Sequence, residues 1–317
     1  MSDPTRDWWV YRGDGKPHDP NLPQAPPWRR FGGAPRAKFQ IDDAEIDLVN
    51  AALLLRRPLL ITGVPGVGKS SLIHAVAHEL RLGEVLAWPI NTRSKLQNGL
   101  YDYDAIGRFQ EEQARGWDKP TPDDTEQAYE RLGQYVKLGP LGEAFLPSDR
   151  PRAVLIDEID KSDIDLPNDL LNIFEEGWFE IPALSRAPWP TIPVRRGSKS
   201  GGTIEISGGR VTATEFPFVV MTSNGERDFP QAFLRRCIRL PIEKPSREKL
   251  ANIVEAHLRG TSKSEADLLQ EFFENSQKED LATDQLLNAL YLTAKLSVNL
   301  RDKDLEKLKE ALFKSLK

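Results

Sequence analysis

Between residues 59 and 223 the apolar positions come in short unbroken runs rather than in alternation with polar ones. Leu59 to Ile61 lead to Thr62, Ala153 to Ile156 lead to Asp157 and Glu158, and the run FPFVVMT leads to Ser223 and Asn224. CIRLPI, residues 237–242, closes the series. Such runs mark strands covered on both faces, as in a parallel sheet. The stretches between them carry apolar residues at helical spacing. Leu72, Ile73, Val76 and Leu80 follow the first run; Leu170, Leu171 and Phe174 follow the second, in a helix that Pro167 opens and Gly177 ends. From about Asp42 to Glu243 this alternation predicts βαβ units. From Lys244 onward only helical spacing remains, in EADLLQEFFENS, TDQLLNALYLTAKL and DKDLEKLKEALFKSL. No internal repeat of about 20–50 residues interrupts the series.

Residues 1–38 have a different composition. They hold seven of the 24 prolines and three of the seven tryptophans, Trp8, Trp9 and Trp28, with seven basic and four acidic side chains. A stretch so rich in proline and charge forms no core of its own, yet its tryptophans suit an extended arm lying on a protein surface. The expected organisation is therefore an arm (1–38), an α/β core (39–243) and a helical domain (244–317). Overall, 39% hydrophobic and 29% charged residues describe an ordinary soluble chain. Lys+Arg 43 against Asp+Glu 48 leaves a net charge of -5, so no global basic field points to nucleic acid, which is not expected as a partner. The single cysteine, Cys237, excludes an internal disulfide and a thiolate zinc cluster. The opening MSDPTRDWWVYRGDGK lacks an apolar stretch of signal-peptide length, and no apolar run approaches about 18 residues, so a cytoplasmic chain without a membrane span is expected.

Three places carry chemistry. Gly63, Val64, Pro65, Gly66, Val67, Gly68, Lys69, Ser70 and Ser71 join the first strand to the first helix. Glycines there let backbone N–H groups turn inward around phosphates, with the helix N-terminus aimed at the same spot. Lys69 offers a charge to the outer phosphates, and Ser70 a hydroxyl to Mg²⁺. Asp157 and Glu158 end a buried strand, where ligands bind in open α/β sheets. Asp157 suits the metal and Glu158 the activation of water, whereas Asp160, Asp163 and Asp165 suit a solvated edge or a helix cap. Asn224 ends a third strand on the same edge, and the short helix PQAFLRR that follows presents Arg235 and Arg236.

The ordered set GVPGVGKS, VLIDEID, VMTSN and AFLRR resembles the AAA+ ATPases, and the intervening KLGPLGEAFLP most resembles their MoxR-like group; the likeness covers about residues 40–300. It implies a P-loop AAA+ parallel-sheet core with helices on both faces, followed by an all-helical lid. It also implies ATP and Mg²⁺ as ligands, Asn224 as the sensor of the γ-phosphate, and an arginine finger at Arg236, with Arg235 as the alternative. Asn91 or Thr92 would be a polar switch holding Glu158, and Tyr101 and Tyr103 would line a central pore. The resemblance further implies a homo-oligomeric ring, commonly a hexamer, acting on a protein partner that in this group often has a von Willebrand factor A domain. Some bacterial relatives belong to conflict or defence gene clusters. One departure stands out: AAA+ lids often carry a sensor arginine near a late helix, and no arginine lies between Arg259 and Arg301. That departure keeps open a slow nucleotide-gated switch or scaffold. A small-molecule P-loop kinase leaves Asn224 and the arginines unexplained, and the charge balance disfavours a DNA motor.

Overall fold

The computed structural model describes residues 10–11, 15–19, 25–26, 39–114, 131–258, 269–270, 272–274 and 283–296. The chain divides into two compact units, Asp42–Gly63 with Lys69–Ile242, and Met1–Ile41 with Val64–Gly68 and Glu243–Lys317. In the larger unit the chain runs through α1 (Asp43–Leu55), β1 (Leu59–Thr62), α2 (Lys69–Glu79), β2 (Leu86–Pro89), α3 (Leu96–Leu100), β3 (Tyr101–Tyr103) and α4 (Ala105–Ala114). It continues through β4 (Val136–Leu138), α5 (Pro140–Ala144), β5 (Ala153–Asp157), a 3₁₀ turn (Ile159–Lys161), α6 (Leu166–Glu176), β6 (Trp178–Glu180) and α7 (Pro182–Ser185). The hairpin strands β7 (Thr191–Arg195) and β8 (Thr203–Ser207) are followed by β9 (Arg210–Thr212), β10 (Phe218–Ser223), α8 (Gln231–Leu234) and β11 (Ile238–Pro241).

The apolar runs assemble as the pattern requires. β11, β1, β10, β5 and β2 form, in that order, one sheet whose neighbours are all parallel. Leu59, Leu60 and Ile61 are buried, as is every residue of β10, so these strands face no solvent on either side. α1 packs on β11, and α2 on β5 and β10. Because all five strands run the same way, their C-terminal ends share one edge. The chain leaves β1 for the far edge at β2 and returns on β1's other side as β11, so the strand order reverses beside β1. In open α/β sheets the C-terminal edge beside such a reversal is the usual ligand position. The register sets what meets there: Thr62 stands opposite Ser223, and Met221 opposite Ile156, which brings Thr222 beside Asp157.

A second sheet, β3-β4-β7-β8, and a ribbon of β6 with β9 were not foreseen from the sequence. Their strands are three to five residues long with half-exposed patterns, too short to stand out from loops. The segment KLGPLGEAF ties this region to the central sheet. Gly142 of α5 lies against α3, where a Cβ would stand 1.8 Å from the Leu100 carbonyl oxygen, so only glycine fits. Its neighbour Glu143, 1% exposed, accepts the N–H groups of Gly197 at 3.0 Å and Ser198 at 2.9 Å and the Ser198 hydroxyl at 2.7 Å. Arg152 and Arg196 stand 3.6 and 3.9 Å from the same carboxylate. One buried acid thus pins the loop between β7 and β8.

In the smaller unit the described elements after Lys244 are helical. α9 (Arg247–Leu258) and α10 (Thr283–Leu296) bury Leu250, Val254, Leu286 and Leu290 together with Leu269 and Phe272. Trp8, Trp9 and Trp28 of the arm, and residues 297–317, lie outside the described residues. No helix among the described residues is long and apolar enough to cross a membrane.

Candidate functional site

Lys69 opens α2 directly after the glycine loop. Gly66 (φ 79) and Gly68 (φ 94) hold left-handed backbone that other residues resist. At Gly68 a Cβ would also press on the Phe39 ring at 3.2 Å. Lys69 is 7% exposed. Its ammonium donates to the Gly63 carbonyl and to Asn224 Oδ1, each at 2.7 Å. Burial pushes its pKa down, opposed by the nearby carboxylates of Asp160, Asp157 and Glu158. A poorly hydrated cation so placed gains strongly from any anion that reaches it.

Ser70, one residue on, donates its hydroxyl to Asp157 Oδ1 at 2.7 Å. The same oxygen accepts the Thr222 hydroxyl at 2.6 Å, and Thr222 Oγ1 accepts the backbone N–H of Glu158 at 2.9 Å. Thr222 therefore ties together the two acids that end β5, a role its position in an apolar run gave no sign of. Glu158 is left-handed, with φ 60 and ψ 50, although it is not glycine. Strain of this kind persists only where surrounding contacts hold it; here the Thr222 hydroxyl and the following 3₁₀ turn do so. A serine hydroxyl and a carboxylate oxygen in contact are hard oxygen donors of the type Mg²⁺ prefers when phosphates supply the rest of its shell.

The sharp turn at Glu158 has a further effect. Asp160, expected at a solvated edge or a helix cap, is instead 3% exposed. Its Oδ2 accepts the backbone N–H groups of Asn224 at 2.8 Å and Glu226 at 3.1 Å. The left-handed residue swings the chain back under the end of β10, so an acid that the pattern placed outside becomes the anchor of the Asn224 turn. The Asn224 side chain then lies between Lys69 and Glu158, donating from Nδ2 to Glu158 Oε1 at 3.4 Å. The other Glu158 oxygen accepts from Lys161 Nζ at 2.8 Å. Asn91 Oδ1 accepts the Arg93 N–H at 2.8 Å in a local turn, and no hydrogen bond among the described residues joins Asn91 to Glu158. Thr92 is exposed.

Lys69, Ser70, Asp157, Glu158 and Asn224 thus converge. Arg235 and Arg236, both exposed, follow the last turn of α8. Arg236 pairs with Glu175 of α6 and donates to the Ala232 carbonyl at 3.3 Å. No hydrogen bond or ion pair among the described residues joins either arginine to the converging group. Tyr101 and Tyr103 line a separate cavity of about 570 Å³ with Trp189, Arg108 and Arg186. Tyr101 stacks on Phe179 at 6.5 Å, and the Tyr103 hydroxyl accepts from Arg108 at 3.0 Å.

No family model matches the chain, and no curated protein matches it. Among solved structures it is similar to a mutant RuvB of Thermotoga maritima, at 14% identity over 85% of this chain and 68% of that one, with a TM-score of 0.43. A likeness of that size assigns neither family nor activity.

Proposed function

We propose that this chain is an ATP-binding and ATP-hydrolysing AAA+ protein of the MoxR-like type, which works as a ring and remodels or activates a partner protein. The observation that carries the reading is the contact of Ser70 Oγ with Asp157 Oδ1 at 2.7 Å. It joins the hydroxyl that follows the glycine loop to the acid that ends β5, at the edge where the sheet's strand order reverses. In this reading the loop 63–68 and the N-terminus of α2 bind the phosphates, and Lys69 leaves Asn224 to meet the γ-phosphate. Ser70 and Asp157 would hold Mg²⁺, which when bound neutralises charge on the phosphate oxygens. Glu158 takes a proton from the attacking water, and Asn224, anchored from below by Asp160, orients that water. Arg236 serves the neighbouring subunit's ATP, for which a finger contributes about 10³–10⁵ in rate. The hexameric ring and a von Willebrand factor A partner follow from the MoxR-like resemblance.

Equilibrium binding of a fluorescent ATP analogue tests the site. Lys69→Ala should abolish binding, and an unchanged affinity would remove the phosphate-loop assignment. A second reading, a nucleotide-gated switch with little turnover, draws support from the Glu158 carboxylate being ion-paired to Lys161. The turnover of the purified full chain with ATP and Mg²⁺ separates the two.

A further inference from the structure

The cavity of about 570 Å³ beside the second sheet has no part in the converging group, and its lining has a chemistry of its own. Its volume falls in the range of small-molecule sites, about 300–1,000 Å³. Separate elements build it. Period two along β3 sets Tyr101 and Tyr103 on one face, opposite the buried Leu138 and Val136 of β4. Both tyrosines are half-buried, and the Tyr101 ring is held by its stack on Phe179, 8° from parallel. Arg108 of α4 donates to the Tyr103 hydroxyl at 3.0 Å and to Glu112 at 2.8 Å, so its guanidinium is fixed by the protein alone. Ala183 of α7 stands three residues before Arg186, and its methyl group leaves open a space that a longer side chain would fill.

The polar part of the lining is one-sided. It contains two guanidiniums and two phenols, and no carboxylate belongs to it among the described residues. Burial, with Glu180 adding to it, holds the Tyr101 phenol above its ordinary value, so that hydroxyl stays a neutral donor. Glu112 offsets part of the Arg108 charge, but no hydrogen bond or ion pair among the described residues engages the Arg186 guanidinium. Aromatic faces beside a fork of N–H donors suit a planar ring that carries a phosphate. The faces stack on the ring, and a guanidinium takes two phosphate oxygens at once. A wholly apolar ligand would leave the arginines unanswered, and inorganic phosphate would leave the rings uncovered. We propose that this cavity binds a free nucleoside monophosphate, separately from the glycine loop, with its base against Tyr103 and Trp189 and its phosphate on Arg186 at the exposed end.

Equilibrium dialysis of AMP against the full chain carrying Lys69→Ala tests this, because that change removes the glycine loop's hold on phosphate. AMP should bind with a Kd below about 1 mM, and at least about tenfold more tightly than adenosine or inorganic phosphate. Adding either Arg186→Glu, which reverses an exposed charge, or Ala183→Leu, which fills the space, should weaken AMP at least about tenfold at an unchanged urea midpoint. If one of these shifts the midpoint, the other decides. Should none of AMP, GMP, CMP and UMP reach about 1 mM, the proposal is overturned. Binding that Lys69→Ala abolishes, or that neither added variant weakens, places the nucleotide elsewhere and overturns it too. A short single-stranded DNA is the competing arm: if the strand displaces labelled AMP at a lower concentration than free AMP does, the assignment to a free nucleotide falls. Failure on any of these counts leaves the reading of the glycine loop as it stands.

Discussion

Thr222 is the residue on which the acidic end of β5 depends. Its hydroxyl accepts the N–H of Glu158 and donates to Asp157 Oδ1, and Thr222→Val keeps the shape while removing both bonds. The part-buried Glu158 N–H is then left unpaired at a cost of about 1 kcal/mol. Urea denaturation should show that loss, and turnover should fall without loss of nucleotide binding; an unchanged midpoint would mean that the 3₁₀ turn alone holds Glu158. Cys237 gives a pH-dependent expectation. Burial pushes its thiol from 9.0 up to about 12, with Arg57 pulling weakly the other way. The unfolded chain therefore loses this proton first as pH rises. The stability gained by keeping the thiol neutral is fully present below 9.0 and is lost as pH climbs towards about 12. Urea midpoints of wild type and Cys237→Ala should thus differ in their pH dependence above 9.0, wild type falling more steeply. Parallel curves would contradict the burial. Lys69, Ser70 and Asp157 were legible in the sequence because a glycine loop between a strand and a helix is a local pattern. Asp160 and Thr222 were not. Their roles depend on a left-handed turn at Glu158 and on the β5–β10 register, which joins residues about 65 positions apart.

At the level of elements, the central sheet was readable because strands covered on both faces become unbroken apolar runs. The β3-β4-β7-β8 sheet was not, since its strands of three to five residues are half-exposed and no apolar run marks them; the loop between β7 and β8 rests on Glu143. Removing that carboxylate leaves Arg152 and Arg196 facing each other and the loop N–H groups of Gly197 and Ser198 without their acceptor. Glu143→Ala should lower stability by about 3 kcal/mol, with Glu143→Gln between it and wild type because an amide oxygen still accepts two N–H groups. If urea midpoints of all three coincide, pairing of β7 with β8 holds the loop unaided. The segment's fit against α3 through Gly142 explains why KLGPLGEAF has its form: two positions, one for a close backbone approach and one for a buried anchor.

For the whole molecule, the proposed ring gives the arginines of α8 a test of their own. In the proposed ring, Arg236→Ala subunits keep an intact Glu158 but lend no finger, while Glu158→Gln subunits lend a finger but cannot use their own site. Each alone should be inactive. Mixed rings contain interfaces with both groups intact, so activity should return in part, peak near equal mixing and require subunit exchange. A mixture that stays inactive while mass measurements show mixed rings would leave the cross-subunit role without support. Full activity of Arg236→Ala alone would reduce the arginine to the surface partner of Glu175.

The left-handed backbone of Glu158 carries a last consequence, for anyone trying to make this protein more robust. At most positions alanine gives a sturdier chain than glycine; at φ 60 the order reverses, because a Cβ collides with its own carbonyl. Glu158→Gly should therefore unfold at higher urea than Glu158→Ala, by about 1 kcal/mol. A screen that selects on stability alone would drift toward glycine at 158 and discard the carboxylate. Selection on stability and selection on chemistry pull this one position in opposite directions.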